Sequence, residues 1–297
     1  RMKYLIALFF LAIAITACVE KQNPQNDSKE VTMLKEKIAK FVPVEMQYDE
    51  SLLSDREKVV LEKLYHASKI IDELFLEQVY SKNNQIKSEL ISKVEDKPSL
   101  ELKPELELQL ELFNIMFGPF DRLEDNVSFI GKDKKPLGAN FYPEDMTKDE
   151  FEKWIKDNPG DEKSFTSEFT IIRRENGKLV AIPYSEYFKD KLTEASRLLK
   201  EAADYSDNPS LKKYLLSRAD AFLSNDYYQS DMDWMDLKEH NIEVVIGPYE
   251  VYEDEMFNYK ASFESFVTIK DPVESKKLEV FAKYLTDIEK NLPLDDK

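Results

Sequence analysis

Residues 54–80, SDREKVVLEKLYHASKIIDELFLEQVY, are the stretch that decides the fold class. Ser54 is a residue type that caps helix N-termini, and Glu57 stands three positions later, where a capping box needs it. One set of side chains recurs at spacings of three, four or seven residues, which places it on one helix face: Val60, Leu64, Ile71, Leu74 and Gln78. The pattern predicts a long helix that packs this face against the core.

Further helical patterns lie on both sides of this stretch. Asn208 is followed by Pro209, which is the order of an N-cap residue and a proline at the first helical position. Residues 118–147 contain Gly, Pro, Asp and Asn throughout and keep no period, so they predict an ordered loop region with short strands. The remaining helices are predicted at 31–41, 83–94, 105–117, 186–205, 210–223 and 275–292.

The β structure predicted from the sequence is small. The runs 169–174 and 179–183 are β-branched or alternating, and the Asn-Gly pair at 176–177 between them is typical of a hairpin. Residues 243–246 predict another strand, and the extended path is expected to continue through 249–252. The chain is therefore expected to be α+β, mainly helical with a small β-sheet or barrel-like component.

Composition excludes several classes of protein. The 297 residues are 42% hydrophobic, which is enough for a sizeable core, and the net charge of -17 argues against binding to nucleic acid. The single Cys cannot form a disulfide within the chain, and with only two His there is no Cys-rich or His-rich metal site. His66 within the long helix and His240 before a strand are interpreted as structural residues.

The N-terminal segment resembles a bacterial lipoprotein signal peptide. Met2-Lys3 is a short basic start, and the run Leu5–Ile15 is apolar but too short to span a bilayer. It ends in Ile15-Thr16-Ala17-Cys18, which looks like a lipobox. Residues 1–17 are therefore expected to be removed, with lipid on Cys18 and a flexible tether over 18–30. This predicts a lipid-anchored protein of the cell envelope, periplasmic or on the cell surface. An ordinary secretory peptide with an incidental Cys is the alternative.

Two clusters of residues stand above the acidic background. Aromatic and acidic residues alternate over 226–236, which fits either a groove for a cationic or peptide ligand or a packed loop. In the stretch 246–254, IGPYEVYED, an extended chain would place Glu250 and Tyr252 on one face. A carboxylate beside a phenol can bind an ammonium and donate a hydrogen bond to an anion, although edge-strand polar residues give the same pattern.

An ordered set of segments, covering roughly 42–292, resembles the dipeptidyl-peptidase III family of zinc metallopeptidases. It comprises GPFDRL at 118–123, PLGANFYPEDMT at 136–147, TIIRR at 170–174, VAIPY at 180–184, RADAFL at 218–223, DWMD at 233–236, IGPYEVYED at 246–254, Phe257, and YKASFESFV at 259–267. The resemblance implies the N-terminal region of a two-lobed peptidase that acts on short peptides. It also implies that Glu250 binds the substrate ammonium and that Tyr252 donates to the oxyanion.

The sequence lacks the motifs with which this family binds its metal. The zinc motif H-E-x-x-G-H and the second motif E-E-x-R-A-E are both absent. We therefore expect residues 31–297 to be the N-terminal part of such an enzyme, with the zinc lobe missing. Zinc is expected in the full-length protein but not on this chain, which alone is expected to be inactive. The alternatives are a non-catalytic lipoprotein that binds peptides and a purely structural lipoprotein of an envelope complex.

Overall fold

A computed structural model describes residues 27–96, 99 and 102–293. Its helices are α1 (Lys29–Ile38), α2 (Asp55–Val79), α3 (Asn83–Glu95), α4 (Lys103–Met116), α5 (Lys148–Asp157), α6 (Glu162–Phe165), α7 (Tyr184–Tyr187), α8 (Lys189–Tyr205), α9 (Pro209–Ser224), α10 (Tyr228–Met235), α11 (Pro272–Ala282) and α12 (Leu285–Lys290). Its strands form three antiparallel ribbons: β1 (Phe120–Asp121) with β2 (Val127–Ser128), β3 (Thr170–Glu175) with β4 (Lys178–Pro183), and β5 (Ile242–Glu250) with β6 (Ser262–Ile269). The mainly helical α+β class is confirmed, and the described strands form ribbons rather than a closed barrel.

Helix α2 is the centre of the molecule, as its sequence predicts. The Ser54 side chain accepts from the backbone N–H of Glu57, and the Glu57 side chain accepts from the backbone N–H of Ser54, which completes the capping box. The five residues predicted to share one face of this helix (Val60, Leu64, Ile71, Leu74 and Gln78) are all buried. They face α8 and the β5–β6 ribbon, and together with α9 these elements enclose the main core. A second apolar cluster joins α1, α3 and α4 to the end of α2.

The local sequence signals for turns and caps are confirmed. The turn of the β3–β4 hairpin is formed by Asn176 and Gly177, both with positive φ. The Asn208 side chain caps α9 by accepting from two backbone N–H groups. Phe188 separates α7 from α8, so the helix predicted over 186–205 is in two pieces. The helix predicted over 275–292 is likewise α11 and α12, because the chain departs from the helix around Lys283 and Tyr284.

Four further elements are absent from the sequence predictions: helices α5, α6 and α10 and strand β6. Helices α6 and α10 are short, with four and eight residues. Helix α5 has a local signal that the prediction missed, because the Thr147 side chain caps it by accepting from the backbone N–H of Glu150. Strand β6 forms through its pairing with β5. Strand β6 matters most for the site, because its pairing fixes the direction of β5.

The predictions for the N-terminus lie mostly outside the described residues. The signal segment 1–17 and Cys18 are not covered, and neither are the first nine residues of the tether over 18–30. Ser28 caps α1, whose first residue is Lys29. Among the helices of the described part, none combines the length and apolar character needed to cross a bilayer.

Candidate active site

A cavity of about 380 Å³ lies where α2 and the residue after α4 face the end of β5 and the start of β6. Its volume lies in the range of small-ligand sites. Its lining combines apolar side chains with the carboxylates of four acidic residues. The lining residues are Ile71, Asp72, Phe75, Phe117, Glu250, Tyr252, Glu253, Ser262, Phe263, Glu264 and Ser265.

The cavity contains both site residues predicted from the sequence, but the strand-face argument that paired them is wrong. Glu250 is the last residue of β5 and lies opposite Ser262, just after an irregularity at Pro248. Tyr252 lies beyond the strand, in a turn, and its side chain is 77% exposed. The two residues come together because the chain turns at the end of β5, not because they alternate along it.

Glu264 is a second carboxylate in the cavity that the sequence reasoning did not single out. It lies on β6 opposite Gly247, two residues from the partner of Glu250. Burial, followed by the negative charge of Glu250, raises the pKa of Glu264 above its ordinary value. Among the described residues, no cation pairs with Glu250 or Glu264. The sequence signal was the family-like block at 259–267, which carries this residue.

The apolar wall of the cavity comes from α2 and the end of α4. Ile71 and Phe75 lie one helical turn apart on α2. Phe117 caps α4 in the left-handed conformation, with φ of 54°, and its ring meets Phe75 edge-on at 5.2 Å. Asp72, which also lines the cavity, pairs with Lys69 at 3.0 Å. An apolar body with a cationic end is the ligand that matches these walls.

Asp254 organises the turn that follows Tyr252. This fully buried carboxylate accepts from the Tyr142 hydroxyl at 2.8 Å. It also accepts from four backbone N–H groups, those of Met256, Phe257, Tyr259 and Lys260. Burial and the Asp254 charge raise the pKa of Tyr142 above its ordinary value, so the phenol remains a donor. Asp254 thus holds residues 256–260 of the turn from inside.

Lys260 ends the same turn and is completely buried. Its ammonium donates to the carbonyl of Phe165 at 2.6 Å, to the carbonyl of Ser167 at 2.8 Å and to the hydroxyl of Thr170 at 2.8 Å. Burial lowers the pKa of Lys260 to about 7, and the charge of Asp254 opposes this effect. Three acceptors match the three N–H bonds of an ammonium, so Lys260 fixes the segment after α6 to the turn.

Arg218 lies behind β5 with its guanidinium among aromatic rings. It is fully buried, stacks within 5.6 Å of the rings of Tyr214, Tyr227 and Tyr249, and pairs with Asp231 of α10. Helix α10, which forms most of the 226–236 cluster, closes this buried group. The cluster is therefore packed through a helix and not through the loop that the sequence suggested.

The described residues do not supply a metal centre. Across 27–96, 99 and 102–293, no three His, Cys, Asp or Glu side chains come together as metal ligands. His66 is exposed on α2, and His240 lies near Glu243 at 3.3 Å. Neither histidine lines the cavity.

Comparison with known proteins identifies the family of this site. The sequence profile of peptidase family M49 matches residues 148–297, which include Glu250, Tyr252 and Glu264. The chain belongs to peptidase family M49. This is the dipeptidyl-peptidase III family that the sequence resembles.

Two solved structures of the family share this fold. Dipeptidyl-peptidase III from Caldithrix abyssi is 60% identical, with a TM-score of 0.81 over 88% of this chain and 48% of that chain. The enzyme from Corallococcus sp. strain EGB is 41% identical, with a TM-score of 0.80 over 89% of this chain and 48% of that chain. A curated relative, Nudix hydrolase 3 of Arabidopsis thaliana, is 34% identical over 88% of this chain and 40% of its own length. The chain thus spans about half the length of the two solved structures and 40% of the curated relative.

Proposed function

We propose that this chain is the peptide-binding portion of a dipeptidyl-peptidase, which releases dipeptides from peptide N-termini. The observation that carries the proposal is the cavity itself. Glu250 and Glu264 face it without a cationic partner among the described residues, and the hydroxyl-bearing Tyr252 stands exposed beside them. Membership of family M49 supports the same reaction class.

The two carboxylates suit the free ammonium of a peptide. A charge-assisted pair with an ammonium would neutralise the crowded negative charge of Glu250 and Glu264, which stabilises the complex. A peptide extended along the groove advances about 3.4 Å per residue, so its second carbonyl lies about 7 Å from that ammonium. Anchoring the N-terminus therefore selects which peptide bond is presented, and the product is a dipeptide.

Tyr252 has the chemistry of an oxyanion donor. Its O–H can donate to the carbonyl oxygen as that atom gains negative charge in the tetrahedral intermediate. The exposure of the ring leaves the hydroxyl free to reach a bound substrate. In this proposal Glu250 and Glu264 bind the substrate and Tyr252 is the catalytic residue.

Family M49 is zinc-dependent in general, but the described residues do not fit a zinc site. We propose that zinc is held by another part of the full-length protein, the part corresponding to the half of the M49 structures that this chain does not span. No step proposed for Glu250, Glu264 or Tyr252 passes through the metal.

Replacement of Tyr252 tests this proposal in the full-length protein. Tyr252→Phe should lower kcat by about 100-fold or more while changing KM little, because the lost hydrogen bond forms in the transition state. Tyr228→Phe is the matched control, since Tyr228 is exposed on α10 and does not line the cavity. An unchanged kcat in Tyr252→Phe would contradict the role of Tyr252 as oxyanion donor.

Substrate chemistry gives a second test. Glu250→Gln should weaken the binding of peptides with a free N-terminus by about tenfold. N-acetylated peptides should bind poorly to both the wild type and the variant, with the same affinity. Binding of free N-termini with no turnover and no response to chelators would instead favour the non-catalytic peptide-binding lipoprotein.

We also propose that the protein is held at the cell envelope by lipid on Cys18. The support is the sequence pattern at 5–18. Cys18→Ser should release the protein from the membrane fraction and abolish incorporation of labelled fatty acid. A wild-type protein that incorporates no labelled fatty acid and is absent from the membrane fraction would point to an ordinary secretory peptide.

A further inference from the structure

The turn that carries Tyr252 is fixed by the next residue along the chain. The Tyr252 side chain makes no hydrogen bond to any described residue, so its placement depends on the backbone around it. Glu253 is only 7% exposed, and its carboxylate accepts from Arg122 Nη1 at 2.8 Å and Nη2 at 3.2 Å. Lys135 lies 3.2 Å from the same carboxylate. Burial opposes ionisation, but these cations outweigh it, and the pKa of Glu253 lies below its ordinary value.

Arg122 connects this turn to the apolar wall of the cavity. Its Nε donates to the carbonyl of Met116 at the end of α4, at 2.8 Å. Its guanidinium lies 5.4 Å from the centre of the Phe75 ring. One side chain therefore contacts α2, the end of α4 and the turn after β5, which are three of the elements that shape the cavity. Fork-shaped pairing of this kind fixes orientation as well as distance.

We propose that Arg122 and Glu253 are positioning residues for Tyr252 in the dipeptidyl-peptidase reaction. The inference rests on the proposed function of Tyr252. Loss of Arg122 leaves the buried Glu253 carboxylate with Lys135 alone, and the backbone on one side of Tyr252 loses its attachment to the cavity wall. The hydroxyl then spends less time where the oxyanion forms, while the ammonium site at Glu250 and Glu264 stays in place.

The experiment uses Arg122→Gln and Arg122→Lys in the full-length protein. Arg122→Gln should lower kcat by about 10- to 100-fold, as expected for small misplacements of a reacting group, with KM within about threefold of wild type. Arg122→Lys should recover part of the loss, because it restores the charge without the fork. Arg174→Gln is the matched control, since it removes an exposed Arg174–Glu150 pair away from the cavity.

A double-mutant cycle separates positioning from stability. In a Tyr252→Phe background, Arg122→Gln should lower kcat no further, because the hydroxyl that it positions is already gone. Additive losses would overturn the inference, as would a kcat in Arg122→Gln equal to that of the control. Arg122→Lys keeps the test decisive if Arg122→Gln does not fold.

Amide hydrogen exchange makes the test independent of the proposed activity. Exchange across 251–255 should speed up in Arg122→Gln while α9 stays protected. If the wild-type protein hydrolyses no peptide, the proposed function fails. Hydrogen exchange then still tests whether Arg122 holds the turn in place. Unchanged exchange over 251–255 overturns the inference whatever the activity.

Discussion

Replacing Glu264 by Gln should make the fold more stable and the cavity a weaker site for a cation. The carboxylate is partly buried on β6 near Glu250, and among the described residues no cation pairs with either side chain. Glutamine keeps the shape and removes one of two crowded negative charges. The two effects have opposite signs, which distinguishes a site for a charged ligand from an ordinary structural residue.

The size of the stability gain follows from the register of the ribbon. Glu250 lies opposite Ser262, so Glu264 is its diagonal neighbour, and diagonal neighbours in an antiparallel pair are about 7–8 Å apart. Two unit charges at that distance repel by about 0.5–1 kcal/mol when the effective dielectric constant is about 40–80, as at a partly exposed site. We therefore expect Glu264→Gln to raise Tm by about 1–3 °C at pH 8 and low salt.

The gain should depend on pH in a definite direction. The pKa of Glu264 in the folded protein is raised above the ordinary value of 4.5, first by burial and then by Glu250. Below pH 4.5 the carboxyl is protonated in both folded and unfolded chains, so the variant and the wild type should be equally stable. As the pH rises through the raised pKa, ionisation of Glu264 costs more free energy in the folded state than in the unfolded state. The wild type therefore becomes less stable than the variant.

Thermal unfolding from pH 4 to pH 8 checks the stability, and calorimetric titration with a short peptide checks the binding. Glu264→Gln should lower the affinity for a peptide with a free N-terminus by about tenfold at pH 8, because a charge-assisted hydrogen bond is lost. Glu111→Gln is the control, since Glu111 is exposed on α4 and makes no ion pair among the described residues. A variant that is less stable at pH 8, or a gain that grows towards acid, would refute the electrostatic reasoning.

Two further substitutions test the framework of the site. Lys260→Met should lower the free energy of unfolding by at least about 3 kcal/mol, because it leaves three acceptors without a donor and each buried one costs about 1–3 kcal/mol. Urea denaturation measures this loss, and a loss below about 1 kcal/mol would contradict the reasoning. Gly247→Ala should cost about 2–4 kcal/mol in the same assay, since φ is +152° and the new Cβ would lie 2.6 Å from the buried Arg218 guanidinium. Full stability in Gly247→Ala would show that Arg218 can move.

The sequence predicted the elements whose signals are local. The capping box at Ser54 and Glu57, the Asn-Gly turn at 176–177 and the cap at Asn208 each depend on residues a few positions apart, and the structure confirms all three. The buried stripe of α2 follows from helical periodicity alone. Family membership also came from the sequence, since it rests on an ordered set of short segments.

The site itself was only half predictable. Glu250 and Tyr252 were singled out and both line the cavity, and their roles there stay a prediction. The reason given for their proximity was wrong, because the turn after Glu250 depends on Asp254, Tyr142 and the pairing with β6. A second misjudged feature was the terminal helix over 275–292, which is two short exposed helices. Both failures concern where a chain changes direction.

What the sequence by itself determined is the helical framework and the family. The tertiary structure alone decided which charges face each other. Arg122 meets Glu253 across 131 positions, Lys260 reaches carbonyls 93 and 95 positions away, and Glu264 meets Glu250 only through the register of β5 and β6. Helix and turn signals act over a few neighbouring residues, whereas burial and electrostatic pairing depend on distance in space, which the order of residues along a chain does not contain.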